Sequence, residues 1–186
     1  MSTNGKPVGN EPCETQATLS SLDPGGQALV TVETMNHVTN YCPDEAFDNL
    51  LVATVRQPSA IENVVLERGV DPQKVGVVPI NGSEFTYAGD MWTSKRVNPS
   101  DLTGMSIGIS QAARHLSANR GWFVFDNIST LLMYASEDQL FRLLSSIRQQ
   151  MANERVRGLY GIVPDAVSDQ TYARFRSLFD REVVVR

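Results

Sequence analysis

Lysine is scarce in this sequence: Lys6, Lys74 and Lys95 are the only three among 16 lysines and arginines. With 21 acids, the formal net charge is −5. Binding a phosphate backbone takes a basic face, so this balance speaks against nucleic acid as a partner. Arginine over lysine on an acidic background is a composition associated with salt-loving cytoplasm, although chance drift produces the same skew in so few residues. Cys13 and Cys42 are the only cysteines, too few for a disulfide framework and not in a C-x-x-C pair. His37 and His115 are the only histidines, so a zinc or iron site lacks ligands and none is expected. There is no apolar run of ~18 residues, which excludes a membrane-spanning helix. The opening MSTNGKPVGNEPCETQ has no apolar stretch of the signal-peptide kind, which favours a cytoplasmic protein. A G-x-S-x-G elbow, a G-x-G-x-x-G loop and a Ser–His–Asp grouping are all missing.

What is present is an ordinary globular composition over 186 residues, 41% hydrophobic and 20% charged, enough for one domain with a substantial core. Residues 1–25 are polar and rich in Gly, Pro, Ser and Thr, and read as a flexible tail; residues 26–186 read as the folded domain. Asp23-Pro24-Gly25-Gly26 marks the turn before order begins. Apolar, β-branched runs follow at Ala28–Val32, Leu50–Val55, Val75–Ile80, Trp122–Phe125, Leu159–Val163 and Glu182–Val185. Helical patterns separate most of them. Pro58 suits a first turn and Gly69 a stop. Ser100 is a candidate N-cap for a helix to about His115, and Ser136 with Gln139 has capping-box spacing. Ser168 heads a helix carrying Tyr172, Phe175 and Phe179. Residues 81–98 read as one long loop. Alternating strands and helices predict an α/β fold with a mainly parallel sheet and helices on both faces, in three layers.

In such sheets the carboxyl ends of the strands carry the chemistry. Four apolar residues ending on Asp126 have the shape of a Walker B strand, whose carboxylate holds the water shell of Mg²⁺. The plain alternative is that Asp126 caps the next turn. The order strand, Asp126, Ser129 and Leu131-Leu132 before a long helix resembles the centre of KaiC-like members of the RecA superfamily. Leu51–Pro58, Arg68–Val78, Asn98–Leu102 and Leu178–Val185 are similar to other segments of that family. The resemblance covers roughly residues 27–186 and is similar in style to shortened KaiC-like paralogues of halophilic archaea. It implies a RecA/KaiC-like core and, in a working member, an ATP site.

The departures from that pattern decide the functional expectation. A P-loop needs glycines whose backbone N–H groups wrap the phosphates, and a lysine that neutralises them. The corresponding stretch, Glu33–Pro43, has no glycine and no lysine, and Glu33 opposes a triphosphate. The pair of glutamates that the family uses to activate water aligns with Val55 and Arg56, neither of which accepts a proton at neutral pH. The expectation is therefore a pseudo-ATPase without cofactor, in which Asp126 is a relic. Such a chain would work as an interaction or signalling module that binds a protein partner or itself. Phe85, Tyr87 and Trp92 in the long loop are candidate partner contacts, or else fold back onto the core. The alternative function is an unconventional nucleotide sensor or weak ATPase using Asp126, Ser129 and Thr130; a receiver-like regulator is a third. His37 with Cys42 is a conceivable reactive pair, but a packed loop is the simpler reading. Arg148, Arg155 and Arg157 suggest either an anion patch or solvated helix ends.

Overall fold

Apolar runs without alternation suit strands buried on both faces. The strands are β1 (Gln27–Thr31), β2 (Leu50–Thr54), β3 (Val75–Pro79), β4 (Trp92–Thr93), β5 (Trp122–Phe125), β6 (Arg157–Ile162) and β7 (Arg181–Val184). In the computed structural model, which describes residues 14–185, they form one seven-stranded sheet. Its order is β4-β3-β2-β5-β6-β1-β7, and every pair is parallel. No helix among the described residues is long and apolar enough to cross a membrane.

Helices cover both faces, as the alternating pattern predicts. On one face lie α3 (Leu102–Ala113), α4 (Ile128–Leu131), α5 (Glu137–Asn153) and α6 (Asp169–Arg176), over a core that includes Met105, Phe123, Leu144, Tyr160 and Phe175. The other face carries α1 (Glu14–Ser20), α2 (Pro58–Glu67) and two 3₁₀ turns, Val38–Asn40 and Asp44–Asp48. Leu19, Val38, Phe47, Ile61 and Val52 fill that second core. The longest helix shows how sequence becomes structure. Ser136 and Gln139 close the capping box at its start. Its stripe of Leu140, Leu143, Leu144, Ile147 and Met151 is buried, which contributes on the order of 10 kcal/mol as an upper bound.

Three local expectations are revised. The tail was expected to run to about residue 25, yet Glu14–Ser20 is helical and buries Leu19, with Leu22 buried just after it; residues 1–13, including Cys13, lie outside the described residues. Asp101, not Ser100, caps α3, its carboxylate accepting the Gly104 N–H at 2.8 Å. Asn98 holds Ser100 in a turn instead. The long loop contains the edge strand β4 and a further parallel bridge from Ile80 to Val97. β1 and β2 are joined by the two 3₁₀ turns, with no long helix between them, in keeping with the short stretch that separates the two apolar runs.

Strand order makes that connection important. The chain leaves β1 toward β2, passing β6 and β5, and leaves β6 in the opposite direction toward β7. The carboxyl ends of β1 and β6 therefore bound the crevice where open α/β sheets take ligands.

Candidate functional site

The crevice is occupied by the chain itself. The Val32 N–H bonds the Ile162 carbonyl at 3.0 Å, which ties the exit of β1 to that of β6. A turn from Glu33 to Asn36 follows, with Met35 in the left-handed region at φ 71° and its side chain in solvent. The next residues descend onto the sheet. Val38 is fully buried over Gly161 of β6, and the fit is tight. A Cβ on Gly161 would lie 2.2 Å from the Asp126 carbonyl oxygen and 2.6 Å from Val38 Cγ2. Only glycine allows the first 3₁₀ turn to sit that close.

Asp126 stands beneath this turn with its side chain removed from solvent. Its Oδ2 accepts the Thr54 hydroxyl at 2.9 Å and lies 3.3 Å from His37 Nδ1. Asp126 Oδ1 and His37 Nδ1 have no hydrogen-bond partner. Thr54 Oγ1 in turn accepts the Arg56 N–H at 3.0 Å, and the Arg56 guanidinium donates to the buried Thr39 hydroxyl at 3.4 Å. Asp126 is thus not the cap of α4. That cap is Asn127, whose Oδ1 accepts the Thr130 N–H at 3.2 Å.

Ser129 is committed to packing: its hydroxyl accepts the Val163 N–H at 3.0 Å and reaches the Val163 carbonyl at 3.3 Å. This links α4 to the end of β6. Thr130 is half-buried one residue further on. Asp126, Ser129 and Thr130 are therefore close in the fold, with the first two engaged by neighbouring strands.

A distant side chain holds the connection in place. Arg68, just past α2, donates to the carbonyls of Asn40 at 2.8 Å and Cys42 at 3.1 Å and to the Asp44 carboxylate at 2.9 Å. The same guanidinium lies over the Phe47 ring, 4.6 Å from its centroid. Cys42 is buried, and its thiol points at the Val38 carbonyl at 3.5 Å. Burial pushes that thiol up to about 12, partly opposed by Arg68, so it stays protonated at neutral pH. It makes no reactive pair with His37, which faces Asp126 instead. Val55 packs against the core on the opposite face.

The three loop aromatics are not brought to one place. Tyr87 packs on the second core, and its hydroxyl accepts the Met91 N–H at 3.0 Å. With half-buried Phe85 it lines a concavity of about 620 Å³. Trp92 lines another, of about 180 Å³ near the amino ends of β2 and β3, its ring 5.3 Å from that of His115. Nor do the three arginines form one patch. Arg148 lies 3.9 Å from Asp180, Arg155 bonds the Asn119 side chain, and Arg157 donates to the carbonyls of Leu22 and Asn119. Sequence reasoning missed Gly161, Thr54 and Arg68. Of these only Gly161 carried a signal, as a glycine inside an apolar strand.

An all-parallel sheet of this order, with its crevice between β1 and β6, is a RecA/KaiC-like α/β domain. It superposes on a KaiC-like protein of the hyperthermophilic archaeon Pyrococcus horikoshii OT3 with a TM-score of 0.58 at 12% identity, covering 88% of this chain and 72% of that one. A second protein of Pyrococcus horikoshii OT3 aligns with a TM-score of 0.62 at 9% identity, covering 92% and 87%. The chain belongs to DUF7504, a family of unknown function, whose match spans residues 26–185. No curated protein matches it in sequence.

Proposed function

We propose that this protein is a RecA/KaiC-like domain that has given up nucleotide chemistry and acts as a protein-interaction or regulatory module in the cytoplasm. The observation that carries this reading is the filled crevice. Val38 lies against Gly161, His37 lies against Asp126, and Arg68 fastens the segment from behind. A Mg²⁺-nucleotide does not fit these residues. Neither the Glu33–Pro43 stretch nor its buried turn offers a glycine cradle or a lysine, and the Asp126 carboxylate is sealed under His37 and Thr54. Charge-assisted contacts to phosphate are the strong ones, and several are missing together. In this reading the domain docks onto another protein or onto itself. Of the three loop aromatics, Trp92, 43% exposed, is the most exposed.

One observation favours a second reading, a nucleotide or Mg²⁺ sensor: a buried carboxylate oxygen without a partner, Asp126 Oδ1. Titration calorimetry with Mg·ATP separates the two. The module reading expects no saturable binding below roughly millimolar concentration, about −4 kcal/mol. It also expects no phosphate release above that of Asp126→Asn. Micromolar binding abolished by Asp126→Asn would establish the sensor and end the module reading.

A further inference from the structure

Large apolar side chains standing in solvent are informative when they gather on one functional face. Three of them rise from loops at the carboxyl edge: Met35 after β1 at 87% exposure, and Met133 and Tyr134 after α4 at 79% and 52%. The two loops are held on either side of the β6 exit. Val32 bonds the Ile162 carbonyl on one side, and Ser129 bonds Val163 on the other. Met35 follows β1, and Met133 and Tyr134 follow α4 beyond β5, so the two loops leave the strands on either side of β6. Met35 has a left-handed backbone and an exposed side chain. Flexible, polarisable methionines flanking a tyrosine are the composition of an adaptable binding surface.

The surrounding charge says what such a surface takes. Glu33 precedes Met35, and Asp165 and Asp169 follow β6; all three are exposed. Glu137 and Asp138 begin α5 just after Tyr134 and share a single cation, Arg174. Acids at helix starts suit the helix dipole, but Glu33 belongs to no helix. The cations beside these five acids are Arg174 and Arg56, whose guanidinium reaches Thr39 under the Met35 turn, so negative charge is in excess around the apolar side chains. An anionic lipid surface or a phosphate ligand is repelled there, and a cationic one is attracted.

Resting on the interaction-module reading, we infer that the carboxyl edge is the docking surface, and that its partner is a basic amphipathic protein segment. The apolar face of that segment covers Met35, Met133 and Tyr134, while its lysines or arginines meet Glu33, Asp165 and Asp169. The self-filled crevice beneath makes this surface rigid before binding.

The test uses a fluorescent amphipathic peptide of lysine and leucine and the same peptide with glutamate for lysine, measured by anisotropy. Wild-type protein should bind the lysine peptide and not the glutamate one, with affinity falling as salt rises. Two triple variants, Met35→Ser/Met133→Ser/Tyr134→Ser and Glu33→Gln/Asp165→Asn/Asp169→Asn, should each bind roughly tenfold more weakly or worse. Thermal melts first establish that both variants fold. A variant of equal charge change elsewhere, Glu67→Gln/Asp71→Asn/Glu154→Gln, should bind like wild type. Unchanged affinity in both carboxyl-edge variants, equal loss in the remote variant, or binding of the glutamate peptide would overturn the inference. So would a wild-type dimer in sedimentation that the apolar variant loses, since the occupant would then be a second copy. All of these results leave the module reading standing, which fails only if Mg·ATP binds.

Discussion

Replacing Arg68 by alanine tests whether the β1–β2 connection is held down from behind or merely rests where it lies. Two hydrogen bonds to the carbonyls of Asn40 and Cys42 would be lost, each contributing about 1 kcal/mol at a partly buried site. The guanidinium over Phe47 adds ~0.5–1 kcal/mol. The ion pair to Asp44 adds only a few tenths of a kcal/mol, because Asp44 is 90% exposed and solvent screens it. The sum is about 3 kcal/mol, a fall in Tm of about 6–12 °C for a chain of this length. The loss should also be local. Amides of residues 38–46 should lose hydrogen-exchange protection before those of β5 or β6 do. The Asp44→Asn variant should cost almost nothing, which isolates the carbonyl contacts as the important ones. A Tm fall below about 2 °C, or a uniform loss of protection across the sheet, would refute the clamp.

Gly161→Ala places a methyl group 2.2 Å from the Asp126 carbonyl oxygen; it should destabilise by about 3 kcal/mol in urea unfolding, and Val38→Ala should not rescue it, because the backbone contact remains. Cys42 gives a pH window: its thiol ionises near the ordinary 9.0 when unfolded but only at about 12 when folded. Its contribution is complete below pH 9 and falls by ~1.4 kcal/mol per pH unit above it, so the urea midpoint should drop more steeply above pH 9 in wild type than in Cys42→Ala. If the arginine skew reflects a salt-rich cytoplasm, Tm should rise between low and molar KCl as the −5 net charge is screened; a flat profile removes that inference.

Fold class was legible because central parallel strands are apolar on both faces, so Trp122–Phe125 and Leu50–Thr54 declare themselves without any partner in view. The long α5 was legible for the same kind of reason, since a cap and a 3.6-residue stripe are local properties. What escaped is what depends on distance along the chain. In and just after α1, Leu19 and Leu22 are the only strong apolar signals in a Thr- and Ser-rich stretch, and nothing local says that a sheet waits to bury them. The two-residue β4 exists because β3 offers it an edge, not because Trp92 and Thr93 demand it. Arg68 bonds main-chain carbonyls 26 and 28 residues away, and a carbonyl carries no residue-specific mark that a sequence could show. The site was half legible. Asp126 was found by its strand, while Thr54 and His37 meet it only through the strand order.

That meeting changes what Asp126 means in a chain without a phosphate loop. A buried carboxylate is costly unless it is partnered, and removing its partners costs more than never having had it. Losing only the glycines and lysine of a P-loop would leave this acid at the bottom of an open crevice, hydrated but idle. Here the connection has instead closed over it, and Oδ2 has a hydroxyl donor in Thr54 and an imidazole nitrogen in reach at His37. The filling depends on three separate features: the missing side chain of Gly161, the carboxylate of Asp126 and the guanidinium of Arg68. Each lies on a different element. Grafting glycines and a lysine into Glu33–Pro43 would therefore leave the crevice shut as long as Val38 and the Arg68 clamp remain. In the proposed reading, the segment over Asp126 takes the place of a ligand, and the outer face of that segment, where Met35 stands, is the surface proposed for recognition.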